Sequence, residues 1–300
     1  MHLKSFDEIF KMAKGKETKK IAVASAADKH ALEAVKNAIT EGIVEAVLFG
    51  DEEKIKEIAG QINFDLSDTK IVDESNPVKA SALAVAAIKN GEADVLMKGN
   101  VSTGPLLKVV LDKEKGLRKG GTLSHVALME SPYYHKLLCV TDAAVNVAPE
   151  LKDKVEMINN AVEAFHKLGI EEPKVAVIGA VEVVNPKMEA TSEAALLTMM
   201  NKRKQIKGCI VDGPLALDNA VSKEAAEHKG IVSEVAGDCD IMLTHDINSG
   251  NVLYKSLNFL GGATAGAVIM GAAVPIVLTS RSDSEHSKLC SIALAAAMDK

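Results

Sequence analysis

Short apolar runs alternate with amphipathic stretches from one end of the chain to the other. Runs that are apolar throughout predict buried strands. They lie at 21–24, 46–50, 93–97, 126–129, 137–141, 175–179, 209–211, 241–243 and 274–279. Stretches with helical spacing lie between them, the clearest at 29–39, 52–60, 106–111, 153–168, 192–204, 249–260 and 282–298. Strands buried on both faces and separated by helices predict an α/β protein with mostly parallel sheets.

Polar residues mark the start of several predicted helices. Asp51 precedes one helix, Asn76 stands before Pro77 at the start of another, and Ser249 begins a third. Short polar side chains accept hydrogen bonds from the first-turn N–H groups, and proline suits the first helical position.

The order of the predicted strands and helices indicates two domains. The best boundary lies after Asp142, and the stretch 261–273, rich in glycine and alanine, is expected to return the chain to the first domain. This division assigns residues 1–142 and 269–300 to the first domain and residues 143–268 to the second. A cleft between domains is a common place for a substrate site.

The composition argues against a nucleic-acid partner. Of the 300 residues, 3% are aromatic and none is tryptophan, so stacking platforms for single strands are scarce. The formal net charge of −6 argues against a surface that binds a duplex.

The four cysteines are scattered, and no pair has the spacing of a metal site or a redox motif. The polar N-terminal residues lack the apolar core of a signal peptide. The longest apolar runs, such as 265–278, are too short and too interrupted to span a bilayer. We therefore expect a cytoplasmic protein with reduced thiols, no membrane association and no metal.

Ser280 and Arg281 are the candidates with the clearest chemistry. They follow the apolar run 274–279, and a helical pattern begins just after them. The junction of a parallel strand with a helix presents backbone N–H groups to an anion. A serine hydroxyl donates to an oxyanion, and a guanidinium binds phosphate through two parallel hydrogen bonds. The alternative is an ordinary helix cap beside a surface arginine.

The segment 98–104 also follows a predicted strand and opens a helix. Lys98, Asn100, Ser102 and Thr103 carry groups that contact phosphate well, and the glycines allow close backbone approach. The segment has neither Walker nor GxGxxG spacing, so a polar turn is the alternative.

The remaining candidates are polar residues at strand ends or in helical stretches, namely Asp142, Asn146, Lys108, Arg118, Asn251 and Lys255. Asp142 and Asn146 suit a strand-end turn as well as a cleft. Lys108 and Arg118 lie in a stretch of mixed charge, which is usually a solvated face. His125, beside an apolar run, is expected to be structural.

Taken in order, these segments resemble the phosphate acetyl/butyryltransferase family, the phosphotransacylases. The resemblance covers nearly the whole chain, and it is carried by 97–103, 141–146 with Pro149, 211–218, 250–255 and 275–281. Segments 98–99, 116–120, 124–126 and 208–217 are more similar to the butyryl branch of the family than to the acetyl branch.

The resemblance implies two α/β/α domains of the isocitrate/isopropylmalate dehydrogenase type, with the active site in the cleft between them. It implies that acyl-CoA, with a butyryl or similar short chain, reacts with phosphate to give acyl phosphate and CoA. It also implies no metal or redox cofactor, and a homo-oligomer.

The resemblance further implies roles for single residues. Ser280 and Arg281 match the family's catalytic serine–arginine pair. Lys108 stands where the family has an arginine, so the charge is kept but the bidentate fork is lost. The residues then assigned to substrate binding are Lys98, Asn100, Ser102, Thr103, Lys108, Arg118, Asp142, Asn146, Asn251 and Lys255.

A base is harder to assign. Ser287 stands at the position of a catalytic aspartate in the acetyl enzymes, and a serine cannot serve as that base. Asp283, Glu285 or His286 can substitute, or deprotonation needs no dedicated base.

The implied mechanism is direct transfer in a ternary complex, without an acyl-enzyme on cysteine. Ser280 and helix N–H groups stabilise the oxyanion, while Arg281 positions phosphate or the carbonyl oxygen. One alternative is a phosphate acetyltransferase, because a methylene or two changes preference by only about 1–3 kcal/mol. Others are a catalytically silent acyl-CoA sensor and a metal-dependent dehydrogenase, for which the sequence lacks a cluster of metal-ligating aspartates.

Overall fold

The computed structural model describes residues 3–15, 17–278 and 283–298. The strands are β1 (Lys19–Ala24), β2 (Val44–Gly50), β3 (Lys70–Asp73), β4 (Val95–Lys98), β5 (Ser124–Glu130), β6 (Leu138–Thr141), β7 (Lys174–Ile178), β8 (Ile210–Leu215), β9 (Ile241–Leu243), β10 (Thr264–Met270) and β11 (Ile276–Val277). The helices are α1 (Phe6–Lys14), α2 (Lys29–Thr40), α3 (Glu52–Gln61), α4 (Pro77–Lys89), α5 (Thr103–Val110), α6 (Leu151–Lys167), α7 (Glu189–Lys202), α8 (Leu217–Val221), α9 (Lys223–His228), α10 (Ile247–Lys255) and α11 (Glu285–Ala297). A π-helical segment, Ser256–Leu260, continues α10.

The chain divides into two compact units. The first unit holds Phe6–Gly121 and the C-terminal part from Gly266, and the second holds Thr122–Ala265 with residues 3–5. Residues 122–142 therefore belong to the second unit, although the sequence pattern predicts a boundary after them. The reason is strand pairing, because β6 pairs with β9 and β5 pairs with β6.

The first unit contains a sheet with the strand order β3-β2-β1-β4-β11-β10. All these strands run parallel except β10, which is antiparallel to β11. The chain moves outward from β1 through β2 to β3 and then returns, so that β4 lies on the other side of β1. This reversal makes the gap between β1 and β4 a topological switch point, beyond whose carboxyl edge ligands of such sheets bind.

The second unit contains strands in the order β5-β6-β9-β7-β8, parallel except for β5. The predicted α/β class with mostly parallel strands is thus confirmed. Helices α6, α7 and α10 follow β6, β7 and β9 in the chain. Their N-termini consequently lie at the carboxyl edge of this sheet.

Side-chain caps fix several helix starts. Asp51 accepts an N–H from the first turn of α3 at 3.1 Å, and Asn76 accepts two from the first turn of α4, which confirms both predicted caps. The predicted cap at Ser249 is wrong. Asp246 is the N-cap of α10, and Ser249 completes a capping box by accepting the Asp246 N–H at 3.2 Å.

Strand β10 was not predicted, because its stretch is rich in glycine and alanine, which are poor strand formers. A Cβ on Gly266 would lie 2.7 Å from the Phe6 ring. The absence of a side chain at Gly266 therefore lets β10 approach α1 closely.

The core is mainly aliphatic, and all four cysteines are buried. Within the described ranges, no helix combines the length and the apolar character needed to cross a bilayer.

Candidate active site

The carboxyl ends of β1 and β4 meet at the switch point of the first unit. Ser25, directly after β1, has a positive φ of 58°. The Asn100 N–H donates to the Ser25 carbonyl at 2.6 Å, and the Ser25 hydroxyl donates to the Asn100 carbonyl at 3.0 Å. These reciprocal bonds anchor the loop 98–104 to the neighbouring strand.

Gly99 lies too close to the Ser25 backbone for any side chain. A Cβ at this position would come 2.3 Å from the Ser25 carbonyl oxygen, well inside contact distance. The Lys98 ammonium group donates to the carbonyls of Gly99 and Val101, each at 3.2 Å. In this structure Lys98 and Gly99 therefore give the loop its shape.

The loop leads directly into α5. Ser102 occupies the N-cap position and is exposed, and its hydroxyl makes no capping bond. Thr103 is the first residue of α5. The loop thus offers two hydroxyl groups and the first N–H groups of a helix at one edge, an arrangement suited to phosphate.

The candidate cations of the first unit are exposed. Lys108 lies in the last turn of α5. Arg118 lies in a loop whose backbone forms an antiparallel bridge with Ala272. Both side chains are exposed, as expected for a solvated face. Their exposure leaves them accessible to an anionic ligand.

Strand β11 lies parallel to β4, with Val277 opposite Met97. Its carboxyl end is therefore at the same edge as the loop 98–104. The chain continues from there towards Ser280 and Arg281, which lie outside the described residues. Their roles remain predictions.

The structure resumes at Asp283, whose carbonyl accepts a hydrogen bond from the buried Lys288 ammonium group at 2.6 Å. Ser284 caps α11 by accepting the Ser287 N–H at 3.0 Å. Ser287 is buried, and its hydroxyl accepts a hydrogen bond from the Ser284 hydroxyl at 3.0 Å. Glu285 is exposed in the first turn of α11.

In the second unit the Asp142 carboxylate is enclosed, with 1% of the residue exposed. It accepts the backbone N–H groups of His125 at 3.0 Å, Ala144 at 2.7 Å and Val145 at 2.9 Å, and the Asn146 side-chain amide at 2.6 Å. These bonds join the turn after β6 to β5. They favour a role for Asp142 in holding this turn over direct contact with substrate.

Helix α10 packs against the same turn. The Asn251 amide donates to the Ala143 carbonyl at 3.0 Å. The Tyr254 ring meets the buried His125 ring edge-on, with 5.8 Å between centroids. Asp142, Asn146 and Asn251 are therefore brought together, whereas Lys255 is exposed at the end of α10.

A further cluster at the carboxyl edge of the second unit was not predicted. Lys154 of α6 is buried and ion-paired with Glu193 of α7. Its Nζ lies 2.9 Å from His245 Nδ1, which is 3.2 Å from the Glu193 carboxylate. A buried ammonium group, a carboxylate and an imidazole from three separate elements thus meet at this edge.

These features define a class of protein. It is a mostly parallel α/β protein with a loop suited to an anion at the topological switch point of its first sheet. The family model described as "Phosphate acetyl/butaryl transferase" matches residues 5–80 and 74–296. The chain belongs to this family.

Individual relatives agree over nearly the full length. A phosphate butyryltransferase from Clostridium acetobutylicum is 52% identical, over 98% of each chain. A phosphate acetyltransferase from Thermotoga maritima is 50% identical, over 97% of this chain and 98% of its own. The crystal structure of a branched-chain phosphotransacylase from Enterococcus faecalis V583 aligns with a TM-score of 0.82 at 35% identity, over 94% of this chain and 99% of that one.

Proposed function

We propose that this protein transfers a short acyl group, by preference butyryl, from coenzyme A to inorganic phosphate. Family membership and the 52% identity with the C. acetobutylicum phosphate butyryltransferase support this reaction. The structural observation that carries it is the loop 98–104, where hydroxyl and helix N–H groups converge beside the end of β11.

Acetyl transfer is the second candidate, because the T. maritima phosphate acetyltransferase is 50% identical to this chain. One or two methylene groups in a pocket change the free energy by which an enzyme distinguishes two substrates by only about 1–3 kcal/mol. The ratio of rates with butyryl-CoA and acetyl-CoA distinguishes the two candidates.

In the proposed reaction a phosphate oxygen attacks the carbonyl carbon of the thioester. The tetrahedral intermediate then collapses, the C–S bond breaks, and the CoA thiolate leaves and takes up a proton. We assign Ser102, Thr103 and the N-terminus of α5 to phosphate. Ser280 is assigned to the developing oxyanion and Arg281 to positioning phosphate or the carbonyl oxygen.

In the reverse direction, the carboxylate of Asp283 or Glu285 is assigned to take up the proton of the CoA thiol. The exposure of Glu285 in the first turn of α11 supports its access to substrate. The bond from Lys288 to the Asp283 carbonyl supports a fixed backbone at that position.

The other candidates receive supporting roles in the proposal. Lys98 and Asn100 shape the phosphate loop, and Asp142, Asn146 and Asn251 hold the turn after β6. The exposed side chains of Lys108, Arg118 and Lys255 supply positive charge to anionic substrates.

Buried thiols support direct transfer. Burial raises the pKa of Cys209 to about 11 and that of Cys239 to about 12, and it likewise raises the pKa of Cys139. Because only a thiolate is an effective nucleophile, these cysteines are poor candidates for an acyl-enzyme at neutral pH. We further propose that the reaction takes CoA and phosphate as substrates and uses no metal or redox cofactor.

We also propose a cytoplasmic homo-oligomer. The buried thiols of Cys139, Cys209 and Cys239 support a reducing compartment. Val252, Phe259 and Leu260, on α10 and the segment that continues it, are 65%, 61% and 87% exposed, which supports a contact with a second copy.

The reaction is tested by incubating the protein with butyryl-CoA and phosphate and trapping acyl phosphate as its hydroxamate. Arg281→Ala should lower the yield by about two orders of magnitude or more, with little change in melting temperature. Arg203→Ala, at an exposed arginine directly after α7, is the matched control and should leave the yield unchanged.

Two results would contradict the proposal. A large loss of melting temperature in Arg281→Ala would mark this arginine as structural. Accumulation of radiolabelled acyl-enzyme from acyl-CoA in the absence of phosphate would rule out direct transfer.

A further inference from the structure

Lys288 is a buried lysine in the first turn of α11, with 4% of the residue exposed. A positive charge is unfavourable at this position for two reasons. Burial removes the water that stabilises the charge, and the N-terminus of a helix is the positive end of its dipole. The packing of α11 alone therefore does not explain a lysine here.

The Lys288 ammonium group holds the peptide group that precedes the helix cap. It donates to the Asp283 carbonyl at 2.6 Å. Asp283 directly precedes Ser284, the N-cap whose hydroxyl oxygen accepts the Ser287 N–H at 3.0 Å. A hydrogen bond from an ionised donor is about twice as strong as one between neutral groups. The Lys288 side chain thus folds back over the helix start and restrains the backbone at Asp283.

Helix α11 is itself fixed to the sheet of the first unit. The Ala267 N–H of β10 donates to the Ser291 hydroxyl oxygen at 2.9 Å. The Ser291 hydroxyl in turn donates to the Ser287 carbonyl, also at 2.9 Å. These bonds run from β10 through α11 to its first turn, where the bond from Lys288 continues them to Asp283. The Asp283 backbone is therefore held relative to the sheet.

We propose that Lys288 is a positioning residue, which holds Asp283 as the base for the CoA thiol. The inference rests on the proposed function, which leaves the choice between Asp283 and Glu285 open, and it selects Asp283. In the reverse reaction the Asp283 carboxylate accepts the thiol proton. The thiolate then attacks the carbonyl carbon of the acyl phosphate, and the C–O bond to phosphate breaks. Asp283 is half-buried, so its side chain is both restrained and accessible.

The first test is Lys288→Met, which keeps an unbranched side chain and removes the donor. With butyryl phosphate and CoA as substrates, kcat should fall about tenfold because the base is no longer held in place. The KM for CoA should not change, since the restraint acts on proton transfer. The melting temperature should stay the same or rise, because a buried charge is removed from the positive end of a helix.

The matched control is Lys79→Met, at an exposed lysine in the first turn of α4. This variant should leave kcat and the melting temperature unchanged. A lower melting temperature with an unchanged kcat in Lys288→Met would mark Lys288 as structural and overturn the proposal.

A double variant tests whether Lys288 acts through Asp283. Asp283→Asn should lower kcat strongly, and adding Lys288→Met should cause no further loss, because the residue that Lys288 positions has already lost its carboxylate. A further tenfold loss in the double variant would overturn the proposal. Full activity in Asp283→Asn would also overturn it, and would leave the proposed function intact with Glu285 as the base.

Hydrogen exchange separates this inference from the proposed function. The Ser284 N–H and the Asp283 carbonyl belong to one peptide group, so loss of the Lys288 bond should speed amide exchange in peptides that span 283–288. Faster exchange in Lys288→Met than in Lys79→Met supports the restraint even if the protein transfers no acyl group. Equal exchange in the two variants would overturn the restraint, whether or not the unaltered protein is active.

Discussion

The Lys136 ammonium nitrogen lies 2.6 Å from an Asp240 carboxylate oxygen, and both side chains are buried. The same ammonium group donates to the Asp238 carbonyl at 2.9 Å. These residues precede β6 and β9, so the pair joins the starts of two neighbouring strands in the second unit. A buried ion pair adds little stability over an apolar pair of the same volume. Loss of one partner, however, leaves the other as an unpaired buried charge.

Lys136→Met should therefore lower the free energy of unfolding by about 3–5 kcal/mol, measured by urea denaturation. Lys14→Met removes an exposed partner of Glu41, 2.7 Å away, and should cost less than about 1 kcal/mol. Equal losses in the two variants would show that the buried charge at Asp240 is tolerated.

The carboxylate of Asp238 makes the free energy of unfolding depend on pH. Its burial alone would raise its pKa, but hydrogen bonds from Lys174 and His135, together with Lys136, hold the pKa well below its usual value. A group with a lowered folded-state pKa stabilises fully above its unfolded pKa of about 3.9 and loses this contribution as pH falls towards the folded value. The free energy of unfolding should therefore fall more steeply below about pH 4 in the unaltered protein than in Asp238→Asn.

The measurement is urea denaturation at a series of pH values. Asp68→Asn, at an exposed carboxylate, is the control and should follow the unaltered protein. Parallel curves for Asp238→Asn and the unaltered protein would contradict the assignment.

Gly99→Ala should displace the loop 98–104, because its Cβ would lie 2.3 Å from the Ser25 carbonyl oxygen. We expect a loss of about 1–3 kcal/mol in stability and of most acyl transfer. Gly60→Ala, in α3 with no atom within 4 Å of the new Cβ, should instead stabilise by about 0.5–1 kcal/mol and leave transfer unchanged. Full activity in Gly99→Ala would show that the loop position does not matter for the reaction.

The substitution Asp142→Asn tests whether Asp142 holds the turn after β6 or contacts a substrate. The substitution removes the charge from several hydrogen bonds and places an amide N–H against donors, so stability should fall by about 2–3 kcal/mol. The KM values for phosphate and butyryl-CoA should stay within a few-fold in steady-state kinetics. A large rise in either KM with stability unchanged would instead make Asp142 a substrate contact.

The candidate loop was predictable because its signal is local. An apolar strand is followed at once by lysine, glycine, asparagine and two hydroxyl residues, and parallel strands place such ends at one edge. Ser25 was missed, although the same rule points to it as the first polar residue after β1. Its partner Asn100 is distant in sequence, so the bond between them appears only once β1 and β4 are paired.

Other features had no local signal. Lys154, Glu193 and His245 belong to separate elements, and each alone is typical of a solvated helix or a strand end. Asp246 and Ser249 are both good caps three residues apart, and only the extended backbone of Asp246 decides between them.

The most direct test of the account is to mix the protein with butyryl-CoA and to follow free thiol release with and without phosphate, with acetyl-CoA alongside. We predict release that requires phosphate and is faster with butyryl-CoA. Release that does not require phosphate, or no release from folded protein that still binds CoA, would contradict it.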